Sequence, residues 1–148
     1  MKLNAIQLPK IGSIPILIPL FSYKVSAGFP SPADDYLDKM ISLDEDLIMH
    51  KTATFFVRAR GNSMIGAGIN EGDMLVVDRS IEPTSGDIVI AAVDGSLTVK
   101  RLMKRGTTVT LKPENPRYKE IEFKEGQVLE VWGVVISLTR KLKFRNVK

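Results

Sequence analysis

The 148-residue chain contains no cysteine and a single histidine, His50. The first absence excludes disulfides, thiol catalysis and Cys-ligated zinc, and leaves the redox compartment open. The second excludes a two-histidine metal site. A Ser-His-Asp triad would have to use His50, which lies in a polar stretch far from any nucleophile-like turn. Acidic residues are missing from positions 1–27, which carry Lys2, Lys10 and Lys24. Setting those three aside leaves 18 of the 21 basic residues against 17 acidic ones from Gly28 onward. The overall charge of +4 therefore shrinks to +1 in the body of the protein. With only three tyrosines and one tryptophan besides, the chain offers little phosphate-binding or base-stacking surface. The one locally basic run is the tail Arg140 to Lys148. It reads as a solvated terminus or as a weak contact for phosphate or an acidic partner. No apolar run approaches the ~20 residues of a membrane span.

What is present is ordinary for one globular domain: 44% hydrophobic and 26% charged residues. Residues 1–33 stand apart, since they hold five of the eight prolines (Pro9, Pro15, Pro19, Pro30 and Pro32). Repeated proline opposes a regular helix and a central strand alike, so this segment is expected to be an extended arm. A secretory signal is the competing reading. Lys2 and Lys10 would be its charged region, Ile11 to Phe21 its apolar run, and Val25-Ser26-Ala27 its cleavage site. Against this, Pro15 and Pro19 break the run and Lys24 crowds the cut.

Residues 34–148 are expected to form the folded domain, mainly β with one short helix. Ser42 and Glu45 have capping-box spacing, three acids (Asp44, Glu45, Asp46) follow the cap, and Leu43 and Leu47 share a face. This helix is expected to pack on the sheet. Candidate strands are Thr54–Arg60, Met74–Asp78, Asp87–Val93, Leu97–Lys104, Thr107–Lys112 and Val128–Leu138. Tight hairpin turns are expected at Asp94-Gly95 and Arg105-Gly106. The result is a core of six or seven strands.

Two local patterns carry chemistry. Gly61-Asn62-Ser63-Met64 directly follows a strand. A turn there can present the Ser63 hydroxyl, and the backbone N–H groups of Asn62 and Ser63 can point outward as an oxyanion hole. Taken alone, such a turn is more often merely structural. Lys100 sits mid-strand, on the same face as Thr98 and Leu102 by alternation. It is either a lysine snorkelling to water or a buried amine whose charged form is disfavoured. An ordinary amine titrates near ~10.4, so only the buried one can serve as a base near neutrality. The two patterns support each other, because a serine nucleophile needs a proton acceptor and no plausible histidine exists.

In chain order, the motifs Gly61-Asn62-Ser63-Met64, Ile69 to Arg79, Gly86-Asp87-Ile88-Val89, Thr98 to Leu102 and Trp132-Gly133-Val134-Val135 resemble the peptidase domain of the LexA/UmuD family. The resemblance spans Ala27 to Leu138. It implies that Ser63 is the nucleophile and Lys100 the general base, with no cofactor and no metal. Family members cut themselves at an Ala-Gly or Cys-Gly bond ahead of this domain, and Ala27-Gly28 matches. Small residues let the carbonyl approach the serine, and glycine permits the bend. Tyr23-Lys24-Val25 is expected to add as a strand to a sheet edge beside the site.

LexA-type repressors carry a helix-turn-helix ahead of the cut, which 27 proline-interrupted residues cannot form. The likeness is therefore to UmuD and its plasmid-borne relatives. It implies a cytoplasmic homodimer of the SOS response, with cleavage stimulated by the RecA–single-stranded DNA filament. The shortened product would join a UmuC-type Y-family DNA polymerase, without sequence-specific DNA contact or membrane attachment of its own. A signal-peptidase-like Ser-Lys enzyme and a non-catalytic dimeric binding module are the alternatives.

Overall fold

A computed structural model describes residues 14–21, 37–124 and 126–144 of the chain. These fall into two compact units that part between Thr52 and Ala53.

The first unit holds an antiparallel pair, β1 (Ile18–Phe21) and β2 (Leu37–Ile41). Pro19 lies within β1, opposite Met40. A proline cannot donate to a ladder, but a two-stranded sheet has only edge strands, which tolerate that loss. Proline therefore did not keep this segment out of a sheet. A five-residue helix, α1 (Leu43–Leu47), follows at the predicted place. Ser42 is its N-cap in extended geometry, yet its side chain makes no capping hydrogen bond, and no residue within the helix is buried. The Asp46 amide bonds instead to the Ser42 carbonyl at 3.0 Å.

The second unit is a seven-stranded antiparallel sheet in the order β3-β4-β9-β5-β6-β7-β8. The strands are β3 (Thr54–Arg58), β4 (Met74–Asp78), β5 (Ile88–Val93), β6 (Ser96–Arg105), β7 (Thr108–Lys112), β8 (Ile121–Phe123) and β9 (Glu130–Thr139). The described residues adopt the expected mainly β fold with one short α-helix. The Asp94-Gly95 turn joins β5 to β6, with both residues at positive φ (48° and 79°), as a two-residue hairpin loop needs. The next turn lies one residue later than predicted, because Arg105 still pairs with Thr108.

Alternation along the strands fills two apolar clusters. Leu75, Val77 and Ile90 enter one, Val89, Ala91, Leu102 and Leu111 the other, all essentially without solvent contact. Fully burying a side chain of this size is worth about 1.5–3 kcal/mol. β9 runs through the middle of the sheet, between β4 and β5. Its register shifts against both neighbours: Val76 and Val77 face Ser137 and Val135, while Ile90 and Ala91 face Gly133 and Val131. Each shift leaves one extra residue on β9 and adds local twist. In a flat sheet β3 and β6 would lie four strand spacings apart, roughly 19 Å. Residues of both strands nevertheless line one small cleft, so the sheet curls toward itself.

Candidate active site

β3 hands over to the serine turn through a short extension of the ladder. The Ala59 amide bonds to the Asp73 carbonyl at 2.8 Å, and the Gly72 amide to the Ala59 carbonyl at 2.9 Å. These contacts pinch residues 59–73 into a closed loop. Two side chains fasten it to the apolar cluster, Met64 and Ile69, both almost fully buried. The Met64 carbonyl accepts from the amides of Ala67 and Ile69, forming a tight turn directly after the serine. At the base of the loop the Asp73 carboxylate, 1% exposed, accepts from the Asn70 amide at 2.7 Å. It also takes two bonds from Arg140, each 2.6 Å long. The paired guanidinium holds the Asp73 carboxyl below its ordinary range. The basic tail thus begins with a residue that is exposed yet held in an ion pair, and residues 145–148 lie outside the described residues.

Lys100 comes from another part of the sheet. The β5–β6 hairpin sets Lys100 opposite Val89, and the lysine is buried with 8% of its surface exposed. Its Nζ lies 3.1 Å from Ser63 Oγ, 2.7 Å from Thr98 Oγ1 and 3.1 Å from the Val99 carbonyl oxygen. Ser63 is equally sheltered, at 9% exposure. Burial disfavours the ammonium and lowers the pKa of Lys100 from its ordinary value. The surroundings suit a neutral amine. Two N–H bonds can serve Thr98 and Val99, which leaves the lone pair for the serine hydroxyl. Such an arrangement can withdraw a proton from Ser63 as its oxygen attacks a carbonyl. The amides of Asn62 and Ser63 donate to no acceptor among the described residues, which leaves them available to a developing oxyanion.

A cleft of about 110 Å³ opens beside Ser63, lined by Val57, Arg58, Ala59, Leu97, Thr98 and Val99 among others. It borders β3, which among the described residues pairs only with β4. The cleft is therefore flanked by a strand with a ladder partner on one side only among the described residues. Ala27, Gly28 and the Tyr23–Val25 segment lie outside the described residues. His50 is exposed. Among the described residues no three His, Asp or Glu side chains converge as metal ligands, and no helix is long and apolar enough to cross a membrane.

Two participants escaped the sequence reading. Thr98 shares a strand face with Lys100 by simple alternation, so its position was legible though its hydrogen bond was not. Asn115 donates from Nδ2 to the Asn62 carbonyl at 2.9 Å across 53 positions of sequence, and no local pattern signals that contact.

Residues 19–136 match the model of a protein family described as Peptidase S24-like. Protein SamA of Salmonella typhimurium is 44% identical over 125 residues, which is 84% of this chain and 86% of that protein. Protein ImpA of Escherichia coli is also 44% identical, over 84% of this chain and 87% of its own. Protein MucA of Escherichia coli is 40% identical over 80% and 81% respectively.

Proposed function

The chain belongs to the Peptidase S24-like family, and from that premise we propose that it is a UmuD-like serine peptidase cutting itself between Ala27 and Gly28. The observation that carries this reading is the 3.1 Å approach of Lys100 Nζ to Ser63 Oγ, both buried.

The reaction follows from that geometry. Neutral Lys100 takes the Ser63 proton as Oγ bonds to the Ala27 carbonyl carbon, and the amides of Asn62 and Ser63 receive the resulting oxyanion. Collapse breaks the bond to the Gly28 nitrogen, which leaves with the proton now carried by Lys100. Water then attacks the Ser63 ester, Lys100 again accepting the proton, and releases the Ala27 carboxylate and the free serine. The N-terminal arm, residues 1–33, supplies the bond to be cut, with Tyr23-Lys24-Val25 adding as a strand to a sheet edge beside the site, and residues 34–148 supply the peptidase domain.

On the same reading the protein acts in the SOS response, in the cytoplasm, as a homodimer. The RecA–single-stranded DNA filament stimulates the cut, and the shortened product becomes a subunit of a UmuC-type translesion polymerase. The ordered motifs shared with the LexA/UmuD family support this part.

Intact mass of purified protein, before and after incubation at alkaline pH, tests the chemistry directly. A new species beginning at Gly28 is expected from wild type and none from Ser63→Ala. Equal cutting by a folded Ser63→Ala removes Ser63 from the mechanism, and no cutting by folded wild type favours the non-catalytic module.

A further inference from the structure

The segment Pro113 to Tyr118, between β7 and β8, is a polar loop with no role in the chemistry above. It is tied to both halves of the site. On one side the Gly66 amide bonds to the Glu114 carbonyl at 2.8 Å, and Asn115 Nδ2 donates to the Asn62 carbonyl at 2.9 Å. On the other side the Glu114 carboxylate pairs with Arg101 Nε at 2.7 Å, and Arg101 is the strand neighbour of Lys100. The contact at Gly66 is too close for any side chain, since a Cβ there would meet the Glu114 carbonyl oxygen at 2.6 Å.

The Asn115 amide is oriented without ambiguity. Its Oδ1 accepts from the Arg117 amide at 3.0 Å while Nδ2 donates to Asn62, so a flipped amide would set donor against donor and acceptor against acceptor. The side chain is buried, with 9% exposure. What it holds is decisive. The Asn62 carbonyl and the Ser63 N–H belong to one planar trans peptide, and the two groups point in opposite directions. Fixing the carbonyl therefore fixes the N–H.

We infer that Asn115 is a positioning residue for the reaction: by clamping the Asn62 carbonyl it aims the Ser63 amide at the site where the oxyanion forms. This rests on the peptidase reading above. Removing an oxyanion donor outright costs roughly 10²–10³ in turnover, and leaving it in place but loosely aimed costs less, about 10- to 100-fold.

The test uses the full-length chain carrying Asn115→Ala or Asn115→Asp. The aspartate keeps the acceptor for the Arg117 amide, so the loop retains its turn, but it cannot donate to Asn62. Self-cleavage is followed across pH, and in parallel Ser63 is labelled with a fluorophosphonate, whose phosphoryl oxygen occupies the same position as the oxyanion. Both variants are expected to cleave about 10- to 100-fold more slowly on the alkaline plateau and to label more slowly by a similar factor. The pH midpoint is read on Asn115→Ala, where it should not move because Lys100 keeps its burial, since the new carboxylate of Asn115→Asp would itself raise a nearby lysine's pKa. Wild-type plateau rates in a folded variant overturn the inference. So does a slowed Asn115→Ala whose midpoint climbs toward that of an ordinary lysine, since that marks general loosening of the site. If wild type labels at Ser63 but never cuts itself, the self-cleavage reading fails, and the labelling ratio alone decides the role of Asn115.

Discussion

If Lys100 is the base, one number governs both the rate of cleavage and part of the stability. Only the neutral amine accepts a proton, so cleavage should level off above the pKa of Lys100 and fall tenfold for each pH unit below it. Burial lowers that pKa from the ordinary value, and the same burial destabilises the fold wherever the amine is charged. The sign is fixed by proton counting. Between the native pKa and the unfolded value near ~10.4, the unfolded chain holds the proton that the native chain has lost, so stability rises with pH through that window. Its slope there is about 1.36 kcal/mol per pH unit for one group. The burden is greatest below the native pKa and has vanished by the unfolded one. The perturbation is Lys100→Met, which keeps much of the side-chain volume and cannot titrate. Urea unfolding of wild type and variant from pH 6 to pH 11, in a Ser63→Ala background to prevent cutting, gives the difference in stability. That difference should begin to change at the midpoint read independently from the cleavage kinetics of otherwise wild-type protein. Lys100→Arg should be inactive throughout, because less than about 10⁻³ of a guanidinium is neutral at pH 9. A flat cleavage profile, a folded Lys100→Arg that still cuts, or a depressed kinetic midpoint without the matching stability slope would refute the assignment.

Three further outcomes follow from other contacts. Gly28→Glu places a bulky charge beside the bond to be cut, so intact-mass assays should show cleavage nearly abolished while Ser63 still reacts with a fluorophosphonate. Gly133→Ala should destabilise the sheet by about 1–3 kcal/mol in urea titration, because a Cβ there would meet Val77 Cγ1 at 2.7 Å and the Asp78 carbonyl oxygen at 3.0 Å. Arg140→Ala should lower the melting temperature at pH 7 and flatten the acid limb of the stability curve. The depressed Asp73 pKa contributes stability that is present above the unfolded value near ~3.9 and lost as pH falls through the native one, so without Arg140 little remains to lose.

The sheet was legible wherever alternation and turn chemistry agreed. Met74–Val77 is continuous and apolar, and Asp94-Gly95 fixes the register that sets Lys100 opposite Val89. β8 was missed because three residues flanked by Lys119, Glu120 and Lys124 carry too short a pattern. β1 was missed because Pro19 argues against a central strand, whereas in a two-stranded sheet it lies on an edge, and β2 was missed because five residues with two charges among them carry too weak an alternation. The capping box at Ser42 set the helix start correctly, but a helix barely longer than one turn closed on main-chain bonds alone. Ser63 and Lys100 could be paired by chemical need, since one lacked a base and the other a purpose. Their distance, the brace from Asn115 and the Arg140–Asp73 clasp all join positions far apart in the chain, and only the folded sheet brings them together.

The place of β9 bears on when Ser63 and Lys100 can first meet in a newly made chain. Ser63 hangs from the β3–β4 hairpin and Lys100 from the β5–β6 hairpin, and within the sheet only β9 joins these two halves. While a ribosome is still completing Glu130–Thr139, the two hairpins have no strand to bind them, and the serine and the lysine are strangers on separate half-sheets. A product that stops before Glu130 keeps both residues yet lacks the strand that joins their two half-sheets.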